Sequence, residues 1–208
     1  MMSKAVDDDN RPRGRPFKSF REREAMKKRI AETAKNMFQT EGYAKVSMRR
    51  LAKEVGCSPM TLYQYYDGKI AVLQTLWAFV FADIFDQLNE QLEHVSDPKD
   101  RLRVISTIYV RYWIAHEDHY RLVFMTEGVT QPDVTTFIGT PEIEACVSIL
   151  AATAMAAMAA PSSDHMVKVK VDLLISTLHG IALNAITISG YPWSNVEEMV
   201  ALFVEEIV

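Results

Sequence analysis

Two helix signatures separated by only three residues constrain this chain more than any other feature. The first begins at Ser47 and ends at Gly56, and its apolar residues are spaced three and four positions apart. The second begins with Ser58-Pro59, an N-cap residue followed by proline at the first helical position. Two short helices joined this closely form a helix-turn-helix pattern. We predict that the second of these helices covers residues 58–66.

The remaining sequence predicts helices throughout, because no run of residues alternates as a strand does. Ser19 and Glu22 stand at capping-box spacing and open a first helix, which Gly42 ends. We predict a loop at 128–141, where Gly and Pro are frequent. Further helices are predicted at 69–94, 98–115, 118–127, 142–160, 165–189 and from Ser194 to the C-terminus.

These elements indicate an all-α protein, with an N-terminal three-helix helix-turn-helix domain and a C-terminal helical bundle for ligand binding and dimerisation. We expect a flexible basic arm at 1–18, a DNA-binding domain at 19–68 and the bundle at 69–208. Residues 1–69 contain 16 Lys and Arg against nine Asp and Glu, whereas residues 70–208 contain seven against 18. This division favours a polyanion-binding head on a body with another task. A merely solvated basic face is the alternative that charge alone leaves open.

Cysteine use and hydropathy bear on the compartment. Cys57 and Cys146 form no disulfide framework and the N-terminus is polar, so we expect a cytoplasmic protein. The apolar segment 171–191 raises the question of a membrane span. Because it contains Asp172 and His179, we predict a buried helix and no membrane partner.

The predicted third helix has two faces on a helical wheel. Leu62, Tyr63 and Tyr66 fall on one side, and Leu62 and Tyr66 are suited to pack on the first two helices. The opposite side presents an amide, a hydroxyl, a phenol and a thioether, from Gln64, Thr61, Tyr65 and Met60. An amide can pair with adenine, and a Met or Thr methyl can contact the thymine methyl. An ordinary helical hairpin with exposed polar residues is the alternative.

The residues from Ile30 to Lys69 resemble the N-terminal domain of the TetR/AcrR family. The matching positions are Ile30-Ala31-Glu32-Thr33-Ala34, Met37-Phe38, Glu41-Gly42-Tyr43, Ser47-Met48-Arg49-Arg50-Leu51-Ala52, Val55-Gly56-Cys57-Ser58, Thr61-Leu62-Tyr63-Gln64-Tyr65-Tyr66 and Lys69. The resemblance implies a homodimeric all-α repressor with a variable ligand-binding domain. It implies phosphate contacts from Ser47, Tyr63 and Lys69. It implies groove contacts from Arg49, Met60, Thr61, Gln64 and Tyr65.

Two further elements are predicted to touch DNA. The backbone N–H groups that follow Ser58 can point at a phosphate. Arg-Pro-Arg-Gly-Arg-Pro at 11–16 resembles the core of an AT-hook, which predicts that Arg13 and Arg15 enter a narrow A·T minor groove. A flexible basic tail with only nonspecific affinity is the alternative for this arm.

The body is predicted to supply the dimer interface and an effector site. The apolar helices at 142–160 and 165–189 are the candidates for the interface, and an internal core helix is the alternative. The resemblance also implies a pocket for a small hydrophobic effector. Aromatic and Met residues are predicted to line it, although each is also explained as core: Phe81, Phe85, Tyr109, Trp113, Phe124, Met125, Met155, Met158 and His179.

The sequence gives only weak support for a metal site, a cofactor or an enzymatic activity. His116 and His119 stand beside Glu117 and Asp118, but no distant third ligand is evident, so we expect neither a metal nor a cofactor. No nucleophile–base or glycine-loop motif indicates an enzyme. The predicted function is a ligand-responsive homodimeric repressor that binds a palindromic double-stranded DNA operator through residues 47–69 and is released by a small hydrophobic ligand. A helical enzyme, or an activator or architectural DNA protein, are the alternatives.

Overall fold

The computed structural model describes residues 19–158 and 164–208, so the predicted arm with Arg13 and Arg15 lies outside the described residues. Across these two ranges the chain forms ten α-helices and one 3-10 turn, with no β-strand, which confirms the predicted all-α class. The helices are α1 (Phe20–Glu41), α2 (Met48–Val55), α3 (Pro59–Tyr63), α4 (Lys69–Leu92), α5 (Pro98–Ala115), α6 (Glu117–Phe124), α7 (Gln131–Ile138), α8 (Pro141–Ala157), α9 (Asp164–Thr187) and α10 (Val196–Ile207).

The N-terminal helices begin and end where their capping residues predict. Ser19 Oγ accepts the Glu22 backbone N–H at 3.3 Å, and the Glu22 carboxylate accepts the Ser19 N–H at 2.7 Å. Ser47 Oγ accepts the Arg50 N–H at 3.3 Å at the start of α2. Gly56 ends α2 in the left-handed conformation, with φ 76°. These bonds satisfy backbone groups that a helix end leaves unpaired.

Helix α3 is shorter than predicted. It ends at Tyr63, because the next two amides form tighter i→i−3 bonds: Gln64 N–H donates to the Thr61 carbonyl at 3.2 Å, and Tyr65 N–H donates to the Leu62 carbonyl at 3.0 Å. The reading helix therefore consists of five residues followed by a turn, and Gln64 is its C-cap.

A helix also occupies most of the segment predicted as the loop 128–141. Helix α7 begins with a capping box in which the Thr130 N–H and hydroxyl both donate to Asp133 Oδ2, at 2.9 and 2.6 Å. Pro132 lies in its first turn, where a missing N–H breaks no intrahelical bond. Proline there is compatible with the start of a helix, and the loop prediction is wrong for this reason.

Buried side chains run without a break from the head, residues 19–68, into the body, residues 69–208. Helix α4 links the two parts, since it packs against α1 on one side and against α5 and α8 on the other. Helix α5 is central in the body, where it contacts α4, α8, α9 and α10. Its Trp113 is fully buried. Helix α4 therefore has direct contact with both parts.

Among the described helices, Lys69–Leu92 and His165–Thr187 are long and apolar enough, by length and composition, to cross a membrane. A third span would result if the bent pair Gln131–Ile138 and Pro141–Ala157 were taken as one. In α4 the apolar side chains largely pack inside the protein, among them Leu73 and Trp77. Helix α9 instead leaves several apolar side chains exposed, which matters for the interface discussed below.

Candidate nucleic-acid interface and effector cluster

Helix α3 is held by two buried side chains. Leu62 is completely buried and Tyr66 almost so, as the helical wheel predicts. The Tyr66 hydroxyl also donates a long hydrogen bond, 3.5 Å, to the Lys27 carbonyl of α1. Met60, on the predicted reading side, has 77% of its surface exposed. Tyr63, which the wheel places on the side of Leu62 and Tyr66, is nevertheless 51% exposed. The exposed side of α3 is thus available to a partner.

Thr61 and Tyr65, which are also predicted to read bases, already make contacts within the protein. The Thr61 and Ser58 hydroxyl oxygens lie 2.8 Å apart, and Ser58 Oγ accepts the Thr61 backbone N–H at 3.0 Å. Tyr65 is half-buried and packs against the core. Gln64, by contrast, is exposed at the end of α3.

A basic groove runs beside the exposed face of α3. It is a shallow cavity of about 460 Å³ whose wall includes Ser47, Arg49 and Lys53. Arg50 also lines it but makes a bidentate ion pair with Glu41, with one N···O distance of 2.6 Å. This pair lowers the pKa of the Glu41 carboxyl through the hydrogen bond from Arg50. The groove therefore combines a hydroxyl and cations beside the predicted reading helix.

Lys69 is the first residue of α4, after the turn that follows α3. Its ammonium donates to the Tyr43 carbonyl at 2.7 Å and sits 4.0 Å from the centre of the Tyr43 ring. Burial lowers the pKa of Lys69. An ammonium has three donors, so the contact with Tyr43 leaves capacity for a phosphate.

Residues 30–76 match the model of the family described as bacterial regulatory proteins, tetR family. The N-terminal part of the chain thus carries a domain of this family, and the match covers 47 of the 208 residues. The nucleoid occlusion factor SlmA of Aliivibrio fischeri (strain MJ11) is 28% identical over 79 residues, which are 38% of this chain and 40% of that protein. The HTH-type transcriptional activator FasR of Mycolicibacterium smegmatis is 26% identical over 102 residues, which are 49% of this chain and 46% of that protein. The matches span less than half the length of these relatives.

The full fold also resembles that of a solved regulator. The crystal structure of the transcriptional regulator FadR from Bacillus subtilis, in complex with stearoyl-CoA, superposes with a TM-score of 0.68 at 13% identity. The match covers 87% of this chain and 97% of that one. At this identity the likeness extends to the fold, including the helical body that follows the TetR-family domain.

Five of the side chains predicted to line an effector site meet in the body. The Tyr109 hydroxyl lies 2.7 Å from His179 Nε2, and the Phe124 ring centre lies 4.6 Å from that of His179. Trp113 contacts Tyr109, Phe81 and Phe124 edge to face, with ring centres 5.0 to 6.0 Å apart. Burial lowers the pKa of His179 and raises that of Tyr109, so both are uncharged near neutral pH.

The remaining predicted residues do not join this cluster to the same degree. Phe85 and Met158 are half-buried, whereas Met125 and Met155 have 40% and 55% of their surface exposed. A cavity of about 1110 Å³ lies instead between α1 and α4, where Glu32 of the head faces Phe79 of the body. None of the nine predicted residues lines it. The sequence carries no local signal for this cavity, because its walls are distant along the chain.

His116 and His119 lie at the corner between α5 and α6, with ring centres 5.2 Å apart. Among residues 19–158 and 164–208, no three His, Cys, Asp or Glu side chains are grouped as a metal site would need. His119 instead faces the head, a contact that the sequence did not reveal.

Proposed function

We propose that this TetR-family chain is a ligand-responsive homodimeric repressor that binds a palindromic operator through residues 47–69. The observation that carries the proposal is the exposed side of α3 beside the basic groove. Met60 and Gln64 project where base edges would lie. Exposed Tyr63 would hold the phosphate backbone, and so would Ser47 and Arg49, which line the adjoining groove.

The DNA contact can be tested without knowing the operator. DNA selected by the protein from a random pool supplies the site, and a gel shift measures the affinity. Gln64→Ala should lower affinity for the selected site by about 1–3 kcal/mol while leaving nonspecific binding almost intact. Arg49→Ala should instead weaken binding to all sequences and reduce its salt dependence. Unchanged selectivity in Gln64→Ala would remove Gln64 from the reading face.

The N-terminal arm extends the proposed contact into the minor groove through Arg13 and Arg15. The double replacement of both arginines by Ala should weaken binding to A·T-flanked sites more than to G·C-flanked sites. An equal loss on both kinds of flank would leave the arm a nonspecific electrostatic contact.

Dimerisation is supported by an apolar stripe on α9. Met166, Val169, Leu173 and Leu183 lie at helical spacing, and each has between 38% and 51% of its surface exposed. On α8, Val147 and Met155 are exposed as well. Apolar patches of this kind mark association surfaces. A two-fold dimer would bury them and would also place two reading helices on successive major grooves.

The dimer is tested by light scattering on the eluting peak of a size-exclusion column. Leu173→Glu should convert the dimer to a monomer, because it buries a charge without a partner. Leu202→Glu is the matched control, since Leu202 is 68% exposed on α10, away from this stripe. A dimer that survives Leu173→Glu unchanged would place the interface elsewhere.

The effector is proposed to be a small hydrophobic molecule that opens the cluster around Trp113 and shifts α4, thereby lowering operator affinity. The aromatic, uncharged lining supports an apolar ligand, and the structurally similar FadR binds stearoyl-CoA. Such a ligand acts only through its different affinity for the two states. A thermal-shift screen of hydrophobic compounds, repeated on Tyr109→Ala, tests this: the variant should lose the shift produced by any hit.

An activator is the second candidate, because the relative FasR is named a transcriptional activator. A reporter gene placed behind the selected DNA distinguishes the two. Expression that rises when the chain is deleted supports the repressor, and expression that falls supports the activator.

A further inference from the structure

The head and the body are joined by a compact polar contact between α1 and α6. Lys35 Nζ of α1 lies 3.0 Å from His119 Nε2 and 3.3 Å from Asp118 Oδ2. Gln39, one helical turn further along α1, donates to the same Asp118 oxygen at 2.9 Å. We call these four side chains the α1–α6 junction. Its two halves are 79 to 84 residues apart in sequence.

The junction continues into the body through Tyr112 of α5. The Tyr112 hydroxyl lies 2.9 Å from His119 Nδ1, and burial together with the nearby Asp83 carboxyl of α4 raises the pKa of Tyr112. Only one arrangement of hydrogens satisfies the contacts of His119. Lys35 is a donor without acceptor capacity, so His119 Nε2 must accept from it. His119 Nδ1 then carries the hydrogen and donates to Tyr112 Oη.

A directed chain of hydrogen bonds therefore runs from α1 through α6 to α5. Its bond between Lys35 and His119 requires a neutral His119 whose Nε2 lone pair faces Lys35. A proton added at Nε2 removes the only acceptor that His119 offers to Lys35 and places two cations about 3.0 Å apart. The imidazolium N–H then needs an acceptor of its own.

The nearest acceptor is Asp118, whose Oδ2 lies 3.9 Å from His119 Nε2. The same Asp118 oxygen pairs with Lys35 and accepts a hydrogen bond from Gln39, both on α1 of the head. If the Asp118 carboxylate accepts from the imidazolium, it gains a contact within the body and loses its contacts with Lys35 and Gln39 on α1. We propose that the α1–α6 junction is a proton-operated latch, in which protonation of His119 releases α1 from α6 and loosens the attachment of the DNA-binding head to the body.

The other charges around His119 determine the range in which the latch works. Burial, Lys35 and His116 lower the pKa of His119, whereas Asp118 of α6 and Asp83 of α4 raise it, and the net shift is downward from 6.5. The latch is therefore closed at neutral pH, and it weakens as the pH falls from about 6.5 through the lowered pKa of His119. The folded pKa is the depressed one, so the stabilising contact is complete above the unfolded value and is lost on acidification.

Hydrogen exchange of the DNA-free protein tests the latch without reference to any operator. Backbone exchange in the second half of α1 and in α6 is measured at about pH 7.5 and pH 5.5, and each rate is divided by the intrinsic rate at that pH. In the wild type we expect protection of these two segments to fall about tenfold at the lower pH, a change of about 1.4 kcal/mol in opening free energy. Protection of α5 should change much less.

His119→Gln is the decisive variant, because the glutamine oxygen can accept from Lys35 but cannot be protonated in this range. Its α1 and α6 protection should be the same at both pH values. His116→Gln is the matched control, since His116 stacks on His119 and is not one of the four junction side chains. It should keep a pH response, moved to slightly higher pH because His116 lowers the pKa of His119. His179 remains in both variants, so an acid effect of the body alone would persist in His119→Gln.

Lys35→Gln provides a second route should His119→Gln fold poorly, because Lys35 is only half-buried and its removal abolishes the repulsion that opens the latch. Loss of the pH response in either variant supports the proposal, and an undiminished response in both overturns it. The consequence for DNA rests on the proposed function: affinity for selected DNA should fall about tenfold more on acidification in the wild type than in His119→Gln. If the chain binds no DNA, the exchange result still decides the latch.

Discussion

Replacing Leu62 by Ala should separate the folding role of α3 from its reading role. Leu62 is the one completely buried side chain among the five residues of this helix. The change removes three carbons, worth about 2.4 kcal/mol in lost transfer free energy at about 0.8 kcal/mol per carbon. A residual cavity adds to this, so we expect the free energy of unfolding to fall by about 3–4 kcal/mol.

Met60→Ala is the matched comparison on the opposite face of the same helix. Because Met60 is 77% exposed, its truncation should lower the free energy of unfolding by about 0.5 kcal/mol or less. Urea unfolding followed by circular dichroism measures both variants, and a gel shift on selected DNA is made at a temperature where both are folded. Leu62→Ala should lose stability and DNA affinity together, whereas Met60→Ala should lose selectivity at nearly unchanged stability.

The refuting result is specific. If Leu62→Ala lowers the free energy of unfolding by less than about 1 kcal/mol, the core does not anchor α3 through Leu62, and the two-faced description of the helix fails. Equal stability losses in Leu62→Ala and Met60→Ala would have the same meaning, because burial would then not distinguish the two faces.

Three further predictions concern the scaffold. Trp77→Phe removes the buried donor that holds the Leu122 carbonyl at 2.8 Å, so the urea midpoint should fall by the equivalent of about 1–3 kcal/mol. Gly56→Ala should lower the free energy of unfolding by about 1 kcal/mol, because φ is 76° there. Gly139→Ala should be neutral or slightly stabilising, because φ is −83° and the space around Gly139 is open. Thermal melts that rank the two variants otherwise would contradict the assigned backbone. Burial raises the pKa of the Cys146 thiol to about 12. Iodoacetamide at about pH 8 should therefore label Cys57 in the native protein and both cysteines in urea. Rapid labelling of Cys146 in the native protein would contradict its burial.

The parts of the fold that depend on local chemistry were predictable from the sequence. The ends of α1 and α2 follow from Ser19, Gly42, Ser47 and Gly56, whose side chains or backbone freedom act within four residues. The burial of Leu62 follows from helical periodicity. The same local reasoning failed for α7, since a proline favours or breaks a helix according to its position in the first turn, which composition does not specify.

Contacts between distant segments were not predictable, because no periodicity or cap relates their residues. The aromatic and Met residues of the body could be grouped by type, and five of them do meet around Trp113, but their type alone could not separate Phe124 from the outlying Met155. The cavity between α1 and α4 and the α1–α6 junction arise only when α4 and α6 fold back on the head. His119 was identified as a polar residue at a helix end, and its partner Lys35 was not identified at all.

The geometry of α3 narrows the residues from which sequence selectivity can come. The Thr61 hydroxyl is engaged with Ser58, so Thr61 offers a base its methyl group more readily than its oxygen. Tyr65 is half-buried and packs against the core, whereas its neighbour Gln64 is exposed. If the head binds DNA without rearranging, Met60 and Gln64 are the side chains left to distinguish base pairs, while Tyr63 and Arg49 fix the position on the backbone. We therefore expect exchanges at Met60 and Gln64 to change which sequence is selected, and exchanges at Thr61 and Tyr65 to change mainly how tightly it is held.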